Sequence, residues 1–238
     1  DLDANVQITS HYLDIQDLST ETKEEQISDG KDWILPSNIN GEVILNAGEI
    51  KYEQHRFKAL KSQLKIGKRE FLFTDLSVQN AGADIYGNVK IEEKSPEIFT
   101  ITTAISSSNI ELKALFKEWN NFEQDVIGAD NISGNVTVNL LFTAPFSLES
   151  GVIKKAIKSK IDLKIDNGRL KNVETFKEIT KSLRTSSAKL LISKSATSTL
   201  EQKLLNLQFE SLENTLIIEN GKLEIPKMLI VSNALDLS

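Results

Sequence analysis

The pattern Ile-x-Gly-[Glu/Asn]-Val occurs at Ile39-Asn40-Gly41-Glu42-Val43, at Ile85-Tyr86-Gly87-Asn88-Val89 and at Ile132-Ser133-Gly134-Asn135-Val136. The glycines of these copies lie 46 residues apart (87 minus 41) and then 47 residues apart (134 minus 87). A second pattern, acid-Asn-Gly-base-Leu, occurs at 166–170 and at 219–223, with its glycines 53 residues apart (221 minus 168). Recurrence at such intervals is typical of repeat proteins, whose units bury their apolar faces against one another. The sequence therefore predicts repeated β units of about 46–53 residues.

Composition limits the classes of function that the chain can have. The 238 residues, 39% of them hydrophobic, suffice for one elongated domain or two compact ones. The formal net charge is −6 and the basic residues are scattered, so no nucleic-acid partner is expected. The absence of Cys excludes disulfides and thiolate metal sites. No signal peptide or membrane-spanning segment is visible, and we expect a processed piece of a larger protein.

Most of the chain alternates apolar and polar residues with period two, which is typical of strands with one apolar face and one wet face. Alternating runs flank both Gly67-Lys68-Arg69-Glu70 and Asn220-Gly221, so each is predicted to be a hairpin turn. A glycine inside a strand predicts a bulge, a bend or a close approach of the neighbouring backbone. We therefore expect a mainly β fold with a few helices, in which a long curved antiparallel sheet forms a groove or an open sandwich.

Two segments have helical spacing instead, the first preceded by Ser108 and Glu111 as a capping box and the second by Asn172 as an N-cap. Both helices are expected to pack on the sheet or to plug one end of it, and a mobile lid over an apolar groove is the alternative. We expect 185–202 to form a loop or a frayed helix, and 20–32 an exposed loop. The apolar stripe of the first helix is Leu112, Leu115, Phe116, Trp119 and Phe122. That of the second is Val173, Phe176, Ile179 and Leu183.

No motif indicates catalysis. The two histidines, His11 and His55, are too few for a metal site in a chain without Cys. There is no Gly-x-Ser-x-Gly elbow, phosphate loop or dinucleotide fingerprint. Adjacent carboxylates such as Glu92 and Glu93 point to opposite faces of a strand, although a glycosidase could still assemble its pair from distant strands. We expect no enzyme activity, no catalytic residues, no metal site and no cofactor.

Residues 57–238 resemble the AsmA-like family of bacterial outer-membrane biogenesis proteins. The resemblance depends on the order of short motifs rather than on any single motif. In chain order these are Ala81-Gly82-Ala83-Asp84-Ile85-Tyr86-Gly87, Leu112-Lys113-Ala114-Leu115-Phe116-Lys117-Glu118-Trp119, Ile132-Ser133-Gly134-Asn135-Val136-Thr137-Val138, Ile161-Asp162-Leu163-Lys164-Ile165-Asp166-Asn167-Gly168-Arg169-Leu170, Phe176-Lys177-Glu178-Ile179, Leu207-Gln208-Phe209 and Ile217-Ile218-Glu219-Asn220-Gly221-Lys222-Leu223.

This resemblance implies a periplasmic protein with an open β-groove, associated with outer-membrane integrity and with phospholipid movement between membranes. Family members are usually tethered to the inner membrane by an N-terminal helix, and we expect this protein to be anchored to the inner membrane by a segment outside the given sequence. The family has no catalytic residues. On this reading residues 1–238 form a single elongated AsmA-like domain, or else N-terminal repeats over 1–105 and a C-terminal AsmA-like region over 106–238.

The sequence thus predicts a non-enzymatic envelope-biogenesis module that binds or conducts phospholipid, or another acyl lipid, along an apolar β-groove. Its other partners would be the bacterial inner and outer membranes, reached through regions outside this chain. The alternative is a structural scaffold or adhesion β-domain, in which the same apolar residues fill a closed core and bind no ligand. The candidate lining residues are Leu64, Ile66, Phe71, Phe73, Val136, Val138, Leu140, Phe142, Ile161, Leu163 and Ile165.

Overall fold

The computed structural model describes residues 2–19, 33–35, 37–147, 149–185, 194–227, 230–233 and 236–237. These residues are mainly in β-strands, as the alternating pattern predicts. The strands are β1 (Leu2–Asp14), β2 (Ile39–Tyr52), β3 (His55–Gly67), β4 (Glu70–Asn80), β5 (Ala83–Ser95), β6 (Ile98–Glu111), β7 (Ile132–Ser147), β8 (Gly151–Val152), β9 (Lys158–Lys171), β10 (Asn206–Glu219), β11 (Lys222–Glu224), β12 (Ile230–Val231) and β13 (Asp236–Leu237). The helices are α1 (Leu112–Glu118), α2 (Glu174–Thr185) and α3 (Lys194–Leu204).

Within the described residues, eleven strands form one open sheet. Their order is β1-β2-β3-β4-β5-β6-β7-β9-β10-β11, and β8 pairs with β7. The four ladders that join β2, β3, β4, β5 and β6 are antiparallel, whereas β1 runs parallel to β2. The two short strands β12 and β13 form a separate antiparallel ladder. The mainly β fold and the long, largely antiparallel sheet are therefore confirmed.

Both predicted hairpins form around two-residue turns. Lys68 and Arg69 connect β3 to β4 with φ values of 51° and 61°. Asn220 and Gly221 connect β10 to β11 with φ values of 53° and 71°. Positive φ at both central residues is the requirement of a type I′ turn, whose twist matches that of the flanking strands.

The other copy of the acid-Asn-Gly-base-Leu pattern has a different structure. Asn167 and Gly168 lie inside β9, and Asn167 has a φ of 53°. A β-carbon on Gly168 would lie 2.0 Å from Cζ of Phe209, so the aromatic ring occupies the space that a side chain would need. The two copies of this pattern are therefore alike in sequence only: one is a hairpin turn and the other is an irregular position within a strand.

Two of the repeated glycines allow a neighbouring strand to approach closely, as expected. A β-carbon on Gly87 would lie 2.2 Å from the carbonyl oxygen of Ala104 in β6. Gly134 has a φ of 125°, and its β-carbon would lie 3.0 Å from the carbonyl oxygens of both Asp166 and Asn167 in β9. Any larger residue at these positions would have to displace backbone atoms.

The chain divides into two compact units. Unit 1 comprises Asp1–Ser108, Val138–Asp162 and Thr215–Ile225. Unit 2 comprises Asn109–Thr137, Leu163–Asn214 and Pro226–Ser238. All three described helices belong to unit 2. The described part of unit 1 contains strands and short 3-10 segments, with no α-helix.

The first predicted helix is present but shorter than its apolar stripe, and its predicted capping box is wrong. Ser108 lies within β6, and the N-cap Glu111 makes no side-chain hydrogen bond to the helix. The helix ends at Glu118, and positive φ values begin at Asn120, at 46°, so Phe122 lies outside the helix. The ring of Phe122 instead contacts the edge of Phe116, with 5.1 Å between centroids.

The second predicted helix, α2, begins at Glu174, so Val173 and not Asn172 precedes it. Asn172 has a φ of 53°, unlike the extended backbone of an ordinary N-cap. The third helix, α3, begins at residue 194 and occupies much of the stretch predicted to be a loop or a frayed helix. Residues 186–193 of that stretch, and the predicted exposed loop at 20–32, lie outside the described residues.

Candidate functional site

Apolar side chains from neighbouring strands of unit 1 form rows across one face of the sheet. Residues directly opposite each other in antiparallel strands point to the same face. We call the face defined by these rows the apolar face. The rows from β2 to β6 are Val43-Leu64-Phe73-Val89-Thr103 and Gly41-Ile66-Phe71-Ile91-Ile101. Shorter rows from β4 to β6 are Leu76-Gly87-Ile105 and Val78-Ile85-Ser107.

Four of the predicted lining residues lie together in the two long rows. Leu64 is directly opposite Phe73, and Ile66 is directly opposite Phe71. All four side chains are half-buried, neither sealed from solvent nor fully exposed to it. These four predicted lining residues therefore form one continuous apolar surface.

Three more predicted lining residues, Val138, Leu140 and Phe142, alternate along the part of β7 that belongs to unit 1, and all are half-buried. The next residue after Phe142 is Thr143, whose hydroxyl lies 3.5 Å from that of Thr102. Thr102 points away from the apolar face, because it alternates with the β6 residues of the two long rows. Phe142 and the two residues that alternate with it therefore point to the apolar face.

The remaining predicted lining residues are divided between the units. Ile161 is half-buried and lies in the unit 1 part of β9. Val136, Leu163 and Ile165 belong to unit 2, where Val136 is buried, with 4% of its surface exposed, and the other two are half-buried. The eleven predicted residues thus do not all lie within one compact unit.

In the described part of unit 1, no α-helix and no second sheet covers the apolar face. The strands of unit 1 all belong to the one sheet, and the unit has no described α-helix. In a two-layer sandwich, side chains from the facing layer would seal such rows from water. Here Val43 and Val78 are buried, whereas most large apolar residues of the rows are half-buried.

The opposite face of unit 1, which we call the polar face, has a network of ion pairs. Glu70 and Glu92 are directly opposite each other, and the amino group of Lys90 lies 2.8 Å from Glu70 and 3.1 Å from Glu92. Hydrogen bonds from Lys94 and Lys90 lower the pKa of Glu92, and those to Glu70 and Glu92 raise the pKa of Lys90. A glycosidase acid needs a raised pKa, so Glu92 does not match that role.

A cavity of about 540 Å³ also opens in unit 1. Among the predicted lining residues, only Phe142 borders it. Several of its other residues, such as Lys90 and Thr102, belong to the polar face. Its three lysines are each paired with carboxylates, so the cavity has no excess of positive charge to attract an anion. The lining is Leu72, Asn88, Lys90, Thr102, Thr103, Ala104, Leu141, Phe142, Thr143, Lys158, Ser159, Lys160, Ile217, Ile218 and Glu219.

Glu93 ends the apolar face on β5, where it is directly opposite Phe99 and only 3% exposed. Its carboxylate accepts hydrogen bonds from the backbone N–H of Ile34 at 2.8 and 3.0 Å and from that of Leu35 at 2.6 Å. The backbone N–H of Glu97 donates to it at 3.3 Å. A buried carboxylate is costly unless it is hydrogen-bonded in this way. Glu93 therefore attaches residues 33–35, which we call the strap, to one end of the apolar face.

Arg69 also holds the strap. Its guanidinium donates to the carbonyl oxygen of Leu35 at 3.2 Å and lies 4.0 Å from the ring centre of Trp33. The carbonyl oxygen of Arg69 in turn accepts a hydrogen bond from the backbone N–H of Glu93, at 3.0 Å. This arrangement was not predicted from the sequence, although Glu92 and Glu93 do point to opposite faces, as predicted. The sequence feature that could have indicated it is Glu93 itself, an acidic residue at a position where the alternating pattern of β5 predicts an apolar side chain.

Two further observations concern membranes and metals. No helix among the described residues has the length and apolarity needed to cross a bilayer. In the same part of the chain, no group of three or more His, Asp or Glu side chains is placed to hold a metal ion.

The chain was also compared with known proteins. No protein-family model matches the chain, and no curated protein or solved structure matches it significantly. These results neither support nor oppose the AsmA-like resemblance, which depends on short motifs.

Proposed function

We propose that this protein is a non-enzymatic module that binds phospholipid, or another acyl lipid, by sheltering acyl chains on its apolar face. The observation that carries this proposal is the single layer of unit 1. Rows of Leu, Ile, Val and Phe side chains cross five neighbouring strands, and no described helix or second sheet of that unit covers them. An apolar surface of this extent on a soluble protein indicates a site for an apolar partner.

In this proposal, burial of methylene groups drives the binding of an acyl chain to the apolar face. Each buried methylene is worth about 0.8 kcal/mol, so an acyl chain crosses water slowly unless a protein shelters it. An apolar face lined by branched aliphatic and Phe side chains resembles the bilayer interior. Transfer of the chain between bilayer and protein is then nearly neutral in free energy, while the headgroup stays hydrated.

The apolar face is long enough for this ligand. On β5 it extends from Ile91 to Ala83, which corresponds to about 26 Å at roughly 3.3 Å per residue. The acyl chains of one leaflet fill half of a hydrocarbon core about 30 Å thick, or about 15 Å. One chain can therefore lie along the strands without leaving the apolar face.

The cellular setting in this proposal is the bacterial periplasm, where the protein would take part in envelope biogenesis and move lipid between the inner and outer membranes. The order of AsmA-like motifs supports this setting. The competing function is a scaffold or adhesion domain without ligand, for which the apolar residues would have to interlock and leave no room for a chain.

A pair of matched variants tests the proposal. Ile85 and Tyr86 are neighbours on β5 that point to the apolar and the polar face, respectively, and Tyr86 is 51% exposed. Protein is mixed with vesicles containing a phospholipid with a fluorescent acyl chain, and capture is measured after the vesicles are removed. We expect Ile85→Asp to lose lipid and Tyr86→Asp to capture as much as the parent protein. Equal capture by both variants, or no capture by the parent protein, would overturn the proposal.

A further inference from the structure

We infer that one end of unit 1, the end that includes the strap, docks on the surface of an anionic phospholipid bilayer. This inference goes beyond the proposed function, because it concerns where the protein contacts a membrane and not where it shelters an acyl chain. Membrane contact was expected only through regions outside this chain. The docking surface, which we call the basic end, consists of residues 33–34, 68, 152–155 and 222, all of unit 1.

An exposed loop after β7 supplies apolar side chains to the basic end. Residues 151–156 are six consecutive exposed positions, and among them Val152 and Ile153 are 48% and 40% exposed. The backbone of this loop is held by hydrogen bonds. The N–H of Ile153 donates to the carbonyl oxygen of Pro145 at 2.9 Å, and the N–H of Ala156 donates to that of Ile153 at 2.9 Å. The loop therefore presents two large apolar side chains to solvent from a hydrogen-bonded backbone.

The strap lies at the same end of the sheet as this loop. Glu93, which binds the strap, is directly opposite Phe99, and the ring of Phe99 stacks on that of Phe146 with 4.9 Å between centroids. Phe146 is in turn directly opposite Val152. Three interstrand steps separate β5 from β8, which corresponds to about 14 Å. The exposed residues that the strap adds are Trp33, at 43%, and Ile34, at 49%.

Four exposed lysines accompany these apolar residues, and none of them has an ion-pair partner among the described residues. One lysine precedes Arg69 in the β3–β4 turn and is therefore next to the residue that holds the strap. The β10–β11 turn adjoins the exposed loop, because a β-carbon on Gly221 would lie 3.8 Å from Cα of Lys155. The four are Lys68, Lys154, Lys155 and Lys222.

The charge balance around the exposed loop is opposite in sign to that of the chain. Four lysines and two carboxylates lie there among the described residues, an excess of two positive charges (four minus two), whereas the whole chain has a net charge of −6. The turns at the other end of β2–β5, Glu53-Gln54 and Ala81-Gly82, contain no basic residue. The six charged residues are Lys154, Lys155, Lys158, Lys222, Glu149 and Glu219.

An anionic bilayer matches both properties of the basic end. Each lysine near an anionic membrane surface strengthens binding by about fivefold. Exposed Val and Ile side chains can enter the boundary between headgroups and acyl chains, and Trp is favoured at that depth because its ring is amphipathic. A polyanion without an apolar layer would engage the lysines but leave the exposed apolar side chains in water. The combination therefore selects a lipid surface.

Vesicle binding by two double variants with the same change in net charge tests the inference. One variant combines Lys154→Gln with Lys155→Gln in the basic end. The control combines Lys58→Gln with Lys61→Gln, which removes two exposed lysines of β3 outside the basic end. Sucrose-filled vesicles of phosphatidylglycerol and phosphatidylcholine are sedimented with the protein at low ionic strength, and the bound fraction gives the dissociation constant.

A second matched pair tests the apolar contribution. Ile153→Ser removes an apolar side chain from the basic end, and Ile44→Ser removes one that is 51% exposed on the polar face of β2. We expect Ile153→Ser to weaken binding by about fivefold, because each buried methylene favours transfer out of water. Ile44→Ser should bind as the parent protein does.

We expect the parent protein to bind the anionic vesicles, to bind vesicles of phosphatidylcholine alone much more weakly, and to lose affinity as salt is added. The variant without Lys154 and Lys155 should bind about 25-fold more weakly, and its control should match the parent protein. No binding to anionic vesicles, or equal losses within either matched pair, would overturn the inference. Lipid capture, tested with Ile85→Asp, depends on other residues, so the proposed function stands or fails separately.

Discussion

Leu64 lies directly opposite Phe73 across the β3–β4 ladder, and both side chains point to the apolar face. Cross-strand pairs of this kind stabilise a sheet by about 0.2–1 kcal/mol. Both residues are half-buried, so the pair contributes to the stability of the sheet and also to the surface that we assign to the lipid.

Truncation of Phe73 distinguishes an open face from a sealed core. In a sealed core, Phe→Ala costs about 3–5 kcal/mol of unfolding free energy. Because Phe73 is half-buried, we expect Phe73→Ala to cost less, about 1–2 kcal/mol, in urea denaturation. Tyr86→Ala on the polar face is the control and should change stability little. A loss in the full core range would show that Phe73 is sealed inside the fold.

Introduction of a charge on β7 is a second test of the same question. Val138 and Leu140 are half-buried on the apolar face. We expect Val138→Asp and Leu140→Asp, made singly, to remain folded by circular dichroism while lipid capture falls, because a carboxylate on the apolar face opposes contact with an acyl chain. Unfolding of both variants would instead show that these side chains belong to a closed interior.

Removal of the Glu93 carboxylate should loosen the strap. In Glu93→Ala the backbone N–H groups of Ile34 and Leu35 lose their acceptor, and hydrogen bonds to a charged group are worth about 1.5–3 kcal/mol. We expect a loss of about 3 kcal/mol in urea denaturation, and a smaller loss for Glu93→Gln, which keeps one acceptor oxygen. Glu92→Ala, which removes partly exposed ion pairs on the polar face, should cost at most about 1 kcal/mol. Equal costs for the two alanine variants would show that Glu93 does not anchor the strap.

The pKa of Asp162 tests a hydrogen bond between the neighbouring strands β9 and β10. The hydroxyl of Thr215 donates to Asp162 at 2.5 Å and the amino group of Lys160 lies 2.9 Å from it, and these hydrogen bonds lower the pKa of Asp162 below its ordinary value of 3.8. We expect Thr215→Val to raise this pKa toward 3.8, and Thr215→Ser to leave it low, in a carbon-13 NMR titration of the carboxyl group.

The same shift sets the sign of a pH effect on stability. Because the folded-state pKa of Asp162 is lowered, its contribution is present above pH 3.8 and is lost as the pH falls through the folded-state value. Thr215→Val should reduce that acid-dependent loss. A carboxyl titration unchanged in this variant would contradict the assigned hydrogen bond.

Because the backbone of β6 lies close to Gly87, even a small substitution at Gly87 should lower the free energy of unfolding. Gly87→Ala would place a β-carbon 2.2 Å from the carbonyl oxygen of Ala104, so the strands must separate. We expect a loss of about 1–3 kcal/mol in urea denaturation. Asn88→Ala, at the next and exposed position, is the control and should change stability by no more than about 0.5 kcal/mol. A neutral Gly87→Ala would mean that β5 and β6 are farther apart than described.

Local sequence patterns predicted much of the sheet. Period-two alternation identifies strands because side chains alternate between the two faces of a strand. The turns at Lys68-Arg69 and at Asn220-Gly221 were predictable because short polar turns between alternating runs have few alternatives. The parallel pairing of β1 with β2 was not predicted, because alternation specifies which face a residue occupies and says nothing about strand direction.

The candidate site was predicted less completely, because some of its contacts join residues that are far apart in sequence. Leu64 and Phe73 could be paired from the sequence because one short turn separates their strands. The hydrogen bond between Leu35 and Glu93 joins residues 58 positions apart, and no local pattern encodes such a contact. The similar motifs at Asn167 and Asn220 show the same limit, because at the first of them the ring of Phe209, distant in sequence, packs against Gly168.

Native mass spectrometry of gently purified protein tests the central claim most directly, since it detects a bound lipid without assuming which lipid it is. The parent protein and Tyr86→Asp should retain phospholipid-sized adducts, and Ile85→Asp should lose them while remaining folded. Consistent absence of any adduct from the parent protein, after incubation with phospholipid vesicles as well as on purification, would contradict the account and favour a ligand-free scaffold.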